Sequence, residues 1–498
     1  MGTQASTVRL TGTALRPGEL ARPALCRVRT AAVVIAVSAA VLVPCFWLPR
    51  IHAGDLSSHL YNAWLARLIR EGQIEGLTVS WQWTNILFDL LLRGLLAIGG
   101  PRFAERVAVA AAALIFFWGA FALTSAVSRR RPWFLAPYLA GLAYGWTFHM
   151  GFFNFYLSLG LCCWALAFFW RSEGRSVWPW LFLAAGTLAH ALPVMWTLGV
   201  GTYLFLARRI KPRWRWAAMA VVLGGIAAVR VVLQLTFETD WRFRQLASAT
   251  GADQFWVYDR KYFPIFVAVL TLWGLRALRI SAIRGKLRTA LSIPFQISVL
   301  TAAGIFVLPH FVLLPGHSIA FQFIDERMSL AVAVLVCAAL SASRPERWER
   351  VATAIAVAVF FGFLYADGAR WDRIEEQMTR RLRGLPAGQR VVSQLCLADS
   401  RVNPLPHMVD RACIGWCFSY GNYEPVSGHF SVRVVGPNPV VAHTREQTWA
   451  LETGQYIVEA RDLPLYQIEW APDGAGLQVR ALKPGERAGQ KCRAAVFN

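Results

Sequence analysis

The stretch Val177–Ala207, VWPWLFLAAGTLAHALPVMWTLGVGTYLFLA, decides how the chain is threaded. A bilayer is crossed by about 20 apolar residues. This longer run carries His190 and Pro193 at its middle and reads as two short spans joined at Pro193. With it the chain offers eleven spans: 31–48, 104–127, 133–150, 153–170, 177–191, 193–207, 217–236, 263–279, 290–308, 328–343 and 351–366. The intervening charges test that number. The N-terminal segment and the loops Arg129–Arg131, Arg171–Arg175, Arg208–Arg215, Arg276–Arg288 and Arg344–Arg350 together hold 23 cations against four acids. Eleven spans put all of them on one side, whereas merging 177–207 into one span breaks the alternation. Cytoplasmic loops carry excess Lys and Arg, so the N-terminus is expected inside and the C-terminus outside.

Composition agrees. The 498 residues are 56% hydrophobic and only 16% charged, with mean hydropathy +0.41. Soluble domains average about 45–50% apolar and 25% charged, so soluble enzymes, disordered tails and fibrous proteins are excluded. The 22 tryptophans suit a protein with many membrane interfaces. Net charge is +22, and Arg supplies 46 of the 51 cations. These cations sit between apolar runs, with no basic patch interleaved with aromatics on a soluble segment, so no nucleic-acid partner is expected. The Arg-over-Lys bias points to a GC-rich bacterial genome, an inner-membrane location and a periplasmic outer side. Residues 1–30 form a basic cytoplasmic segment. The apolar run after it is longer than a signal-peptide core and lacks a small-x-small cleavage site, so it reads as a retained first span.

Residues 31–366 therefore form the transmembrane domain, and 367–498 a periplasmic domain with balanced charge, 16 Lys+Arg against 14 Asp+Glu. A helix over 369–384, with Ile374, Met378 and Leu382 on one face, is expected to open it. Strands are expected at 390–395, 429–436, 455–460 and 465–470. The fold class is thus an all-α polytopic membrane protein plus a small C-terminal α/β or α+β domain. Cys396, Cys413, Cys417 and Cys492 would make two disulfides in an oxidising compartment. Alternatively Cys413-x3-Cys417 with His407 and His429 would bind zinc.

The chemistry is expected in the first outer loop, 49–103. It begins Pro49-Arg-Ile-His-Ala-Gly-Asp55-Leu-Ser-Ser-His59-Leu-Tyr-Asn-Ala-Trp64. Asp55 can N-cap a helix running to about Arg70, and Leu56, Leu60, Trp64 and Leu68 give that helix an apolar stripe fit for an interface. A second interfacial helix over 85–98 carries Asp89 and Arg93 and ends at Gly99-Gly-Pro101. A partly desolvated Asp55 suits a general base, and His59, one turn on, could bond Asp55, position an acceptor or share a metal. His52, His59, His149, His190, His310 and His317 all map to the outer half, as do Asn154 and Asp325-Glu326-Arg327. Polar groups clustered near a membrane line functional cavities. Arg327, Arg260 and Lys261 are the cations best placed for a phosphate, with Asn154, His149, His190 and Asp89 as further binding residues. Trp241, Phe255, Trp256 and Tyr258 are candidates for stacking on sugars.

A long first outer loop with two juxtamembrane helices and an early acid, here Gly54-Asp55 followed by His59-Leu-Tyr61-Asn-Ala63, resembles the GT-C glycosyltransferases. These include protein O-mannosyltransferases, the lipid A aminoarabinose transferase and the lipopolysaccharide galacturonosyltransferases. The resemblance covers roughly residues 31–170. It implies an inverting transfer of a sugar from a polyprenyl-phosphate donor to a periplasmic lipid, glycan or protein, with Asp55 at the active site. Several members have a second acid near that aspartate, where this chain has a histidine. No residue set is therefore assigned to a metal, and a divalent ion stays open. The alternatives are a transporter or flippase, which would place polar residues at mid-membrane and often show repeats, and a glycan ligase or polymerase, which would place its long loop late in the chain.

Overall fold

The computed structural model describes residues 17–313, 322–397, 400–473 and 476–490, with side chains from residue 30 onward. Residues 1–16, His317 and Cys492 lie outside the described residues. Two compact units are distinguished, 1–43 and 44–498. Most of what is described in the first is one helix, part of Pro17–Phe46.

The second unit is mostly helical. Among the described residues five helices are long and apolar enough to cross a membrane: Leu87–Ser128, Phe153–Ser172, Pro212–Thr236, Arg260–Arg284 and Arg347–Arg383. Phe153–Ser172 is enclosed by its neighbours, whereas the helix after Pro212 is exposed along nearly its whole length. Val221, Val229, Val231, Val232 and Leu235 all face outward there. An apolar surface of that extent needs an apolar surrounding.

The decisive 177–207 stretch forms two helices, Trp178–Ala189 and Ala191–Arg209. The break falls at His190 rather than Pro193. His190 is extended (φ −166°, ψ 131°), and its Nδ1 accepts from the Leu192 N–H, capping the second helix. Pro193 sits in that helix's first turn, where its missing N–H has no partner to lose. The 133–150 segment is also broken, into Trp133–Leu135, Ala136–Ala143 and Trp146–His149. In Leu87–Ser128 the Gly-Gly-Pro sequence produces the expected stop. Gly100 leaves helical geometry (φ 76°, ψ −177°) and Pro101 restarts the helix.

The helix expected over 369–384 is instead the end of a 37-residue helix, Arg347–Arg383, so position 367 falls inside a continuous element. Its buried face runs Leu364, Asp367, Trp371, Glu375, Met378, Leu382. Beyond it stands a four-stranded sheet. Arg390–Ser393 pairs in parallel with Phe418–Ser419 and with Leu465–Trp470, and the latter pairs antiparallel with Leu477–Ala481. The 49–103 loop adds a strand of its own: Leu77–Val79 pairs antiparallel with Val432–Val434, Thr78 opposite Arg433.

Leu56–Arg70 is the expected helix, but it does not lie with one face free. Ser57, Ser58, His59, Asn62 and Ala63 are buried along with Leu56, Leu60 and Leu65. Its polar side is covered by the C-terminal region. Ser58 Oγ donates to Glu424 (2.8 Å), the Asn62 and Asn422 side chains exchange bonds (2.9 and 3.3 Å), and Tyr61 Oη accepts from the Ser419 N–H (2.9 Å). The polar half of the amphipathic pattern thus marks a protein contact rather than water.

Arg411 fastens the same junction. Its buried guanidinium reaches Glu105 (2.8 Å), Glu375 (2.5 Å) and the Ile51 carbonyl (2.9 Å). Removing one member of a buried ion pair leaves uncompensated charge and costs about 3–5 kcal/mol. Arg411→Ala should lose stability on that scale in thermal unfolding of the detergent-purified protein. Arg67→Ala, which breaks an exposed pair with Glu71, should change it by no more than about 1 kcal/mol.

Candidate active site

Asp55 stands where two backbone segments touch. The Gly54 N–H donates to the His149 carbonyl (2.7 Å) and the Asp55 N–H to the Met150 carbonyl (3.0 Å). Glycine is required on both sides. A Cβ on Gly54 would lie 2.6 Å from the Met150 oxygen, and one on Gly151 (φ +86°) 2.3 Å from the Asp55 nitrogen. Asp55 occupies the cap position of Leu56–Arg70, but its side chain makes no capping hydrogen bond. The carboxylate faces a cavity of about 1180 Å³ instead.

The cavity has two kinds of wall. Met150, Phe152, Leu192, Met195, Phe323 and Ile324, from the apolar helices and the turns at their ends, make one side. The C-terminal region makes the other, with His407, Asp410, Tyr423, Arg433, Arg445 and Glu452. Trp81, Trp83 and Trp449 line it while 56%, 77% and 61% exposed, and the Trp81 and Trp83 rings also meet edge to face (5.9 Å between centroids).

Three residues of the expected sugar-transfer site line this cavity, Asp55, Arg327 and His190, together with His407 and His429 from the zinc alternative. Arg327 is the notable cation. Its sequence neighbours Asp325 and Glu326 would be its natural partners, yet both turn to His310 (2.7 and 3.1 Å). Arg327 has no ion pair among the described residues. Its guanidinium lies over the Phe152 ring (3.7 Å), and its Nε is buried without a hydrogen-bond partner.

The other expected residues lie elsewhere. His59 does not bond Asp55; its Nδ1 meets Asp89 Oδ1 at 2.8 Å. Asn154 donates to the other Asp89 oxygen (2.8 Å) and accepts from the Phe88 N–H (2.8 Å). These three are a buried brace between the loop helices and Phe153–Ser172. Burial opposes charge on His59, but the adjacent Asp89 outweighs it and raises its pKa to about 9. A histidine that holds its proton this firmly is no base at neutral pH. His149 is buried under Asp55, near the His52 carbonyl (3.1 Å) and Tyr258 Oη (3.0 Å). Arg260 is exposed on a turn away from the cavity, and Lys261 pairs with Asp367 and Asp259. The stacking candidates Trp241, Phe255, Trp256 and Tyr258 pack on other aromatics instead.

Sequence reasoning missed the role of His407. Its Nδ1 lies 3.0 Å from Asp410 Oδ2, and its Nε2 faces Asp55 Oδ1 at 3.9 Å. Ser419 Oγ in turn donates to Asp410 (2.5 Å). Burial disfavours the charged ring, but the Asp410 bond and the charges of Asp410, Asp55 and Glu452 prevail and raise it to about 9. The readable signal was the His407-x-x-Asp410 spacing, which stacks the two on one helix face. The zinc alternative for this region is corrected. Cys413 and Cys417 are joined in a disulfide at the end of helix Leu405–Cys413, and Cys396 is also disulfide-bonded.

The site is therefore a carboxylate flanked by a guanidinium and an imidazolium at the seam of an apolar and a polar wall. That arrangement can accept a proton and neutralise an anion at one place. Comparison of the chain with protein-family models, with curated proteins and with solved structures finds no match.

Two outcomes are expected. Gly151→Ala forces a side chain into a left-handed conformation and against Asp55, and should cost about 1–3 kcal/mol. Gly94→Ala, with nothing within 4 Å, should not destabilise; thermal unfolding compares them. For His407 the folded value exceeds the ordinary 6.5. Its ion pairs therefore contribute in full below about pH 6.5 and are lost as pH rises through about 9. The melting-temperature gap between wild type and His407→Gln should shrink between about pH 7 and pH 10.

Proposed function

We propose that the protein is a GT-C type membrane glycosyltransferase that moves a sugar from a polyprenyl-phosphate donor to an acceptor hydroxyl outside the membrane. The observation that carries this reading is the Asp55 carboxylate, unused as a helix cap, set on the wall of a large cavity beside Arg327 and His407. A lipid-linked sugar is half apolar chain and half charged saccharide. The cavity's two walls match that division.

In the proposed reaction Asp55 takes the acceptor O–H proton as the oxygen attacks the anomeric carbon from the face opposite the phosphate. The bond from that carbon to the phosphate oxygen breaks, and polyprenyl phosphate leaves with the electron pair. The configuration inverts. Arg327 and protonated His407 meet the charge that grows on the leaving group. His407 is oriented by Asp410 for this role. His59 and Asn154 act as positioning residues through Asp89. Trp81, Trp83 and Trp449 offer faces for sugar rings. The wider reading goes with it: eleven spans, a bacterial inner membrane, the N-terminus in the cytoplasm and residues 367–498 in the periplasm.

The test is turnover of a panel of radiolabelled polyprenyl-phosphate sugars by the purified protein. Asp55→Asn should release polyprenyl phosphate about 10²–10⁴-fold more slowly with its unfolding temperature unchanged. Turnover that survives this substitution, or no binding of any donor, would overturn the assignment.

A further inference from the structure

A second polar cluster stands behind Arg327 and takes no part in the proposed transfer. Asp325 and Glu326 are consecutive in the first turn of helix Ile324–Leu340, and both reach back to His310. The three residues are 2%, 6% and 3% exposed. His310 Nδ1 carries at most one hydrogen. Asp325 Oδ1, at 2.7 Å, is the nearer acceptor. Glu326 Oε2, at 3.1 Å, is left buried with no hydrogen-bond partner among the described residues. Buried charges are ordinarily paired or coordinate a metal. Among the described residues the remaining neighbours do not satisfy this oxygen. Ser248 Oγ donates to the other Asp325 oxygen (3.1 Å), and Phe323 packs its ring against the imidazole (5.6 Å between centroids). The nearby Arg401 guanidinium is turned to Asp253 (3.6 Å) and to the carbonyls of residues 253 and 256, with its Nε making no hydrogen bond among the described residues.

We propose that His310, Asp325 and Glu326 bind one divalent transition-metal ion, zinc or manganese, at a site separate from the Asp55 cavity. One imidazole nitrogen and two carboxylate oxygens form a donor set that both ions accept. The three ligand atoms lie within 4.8 Å of one another. Ligands about 2.0–2.2 Å from zinc sit about 3.3 Å apart in a tetrahedron, so the observed 2.7 and 3.1 Å need open by only a few tenths of an ångström. The ion would replace the single shared proton, balance both carboxylates and satisfy Glu326 Oε2. Ser248 would hold the ligating Asp325 in place from outside, as supporting hydrogen bonds do at metal sites. Because Arg327 follows Glu326 directly, the ion would also fix the helix turn that presents Arg327 to the cavity.

Metal binding is read without a sugar donor, so its outcome is independent of the transferase reading. Chelator-treated full-length protein in detergent is titrated with Mn²⁺, following the free ion by electron paramagnetic resonance, and with Zn²⁺ against a fluorescent indicator. One ion per chain should bind for at least one metal. Affinity should fall at least about tenfold in His310→Ala, Asp325→Asn and Glu326→Gln and stay unchanged in Asp55→Asn. Glu326→Gln keeps the side-chain shape and carries the test if His310→Ala does not fold. No stoichiometric binding of either ion, binding that survives all three cluster substitutions, or binding lost in Asp55→Asn would overturn the proposal.

Discussion

Ser58, His59 and Asn62 are polar, and the helix that carries them is buried on both sides. Each such group left without a partner inside a protein costs about 1–3 kcal/mol, so the helix Leu56–Arg70 cannot settle until all three are answered. Asp89 answers His59 from within the loop. Glu424 and Asn422 answer Ser58 and Asn62 from the far end of the chain. The C-terminal region is therefore bound to the first loop by obligation, and the cavity is the space enclosed when the two meet. The strand pairing of Leu77–Val79 with Val432–Val434 and the Arg411 cluster reinforce the same junction.

That junction also sorts the charges. The partner each acid takes decides which cations face the cavity. Asp325 and Glu326 go to His310 and leave Arg327 facing the cavity. Asp410 goes to His407 and turns the other ring nitrogen toward Asp55. The result is one carboxylate between two cations, in surroundings that strengthen electrostatic contacts relative to water.

Much of this was readable from the chain. Apolar run lengths marked out the helical character and several of the long helices, though 133–150 is broken into three; Gly99-Gly-Pro101 marked a helix break, and Gly54-Asp55 led to the cavity. Arg327 and His190 stand out in the sequence because both sit at the ends of apolar runs, and both line the cavity. What could not be read was pairing at a distance. No local pattern says that Ser58 will meet Glu424, that Asp55 will face His407, or that Arg260 will point away. Proline disfavours a continuing helix, so the sequence places the break in 177–207 at Pro193. The structure breaks at His190, whose side chain supplies the cap that the next helix needs. Balanced charge after residue 366 implied a separate domain, but composition cannot tell a hinge from a helix that continues.

That continuing helix has a mechanical consequence. At about 1.5 Å per residue, Arg347–Arg383 is a rod of about 55 Å with no flexible joint between its apolar half and the half that packs against the sheet. Glu375 on this rod is gripped by Arg411, which also holds Glu105 and the Ile51 carbonyl. A change in bilayer thickness that tilts the rod would be levered directly onto the loop bearing Asp55. The surrounding lipid thereby becomes a mechanical input to the cavity's shape.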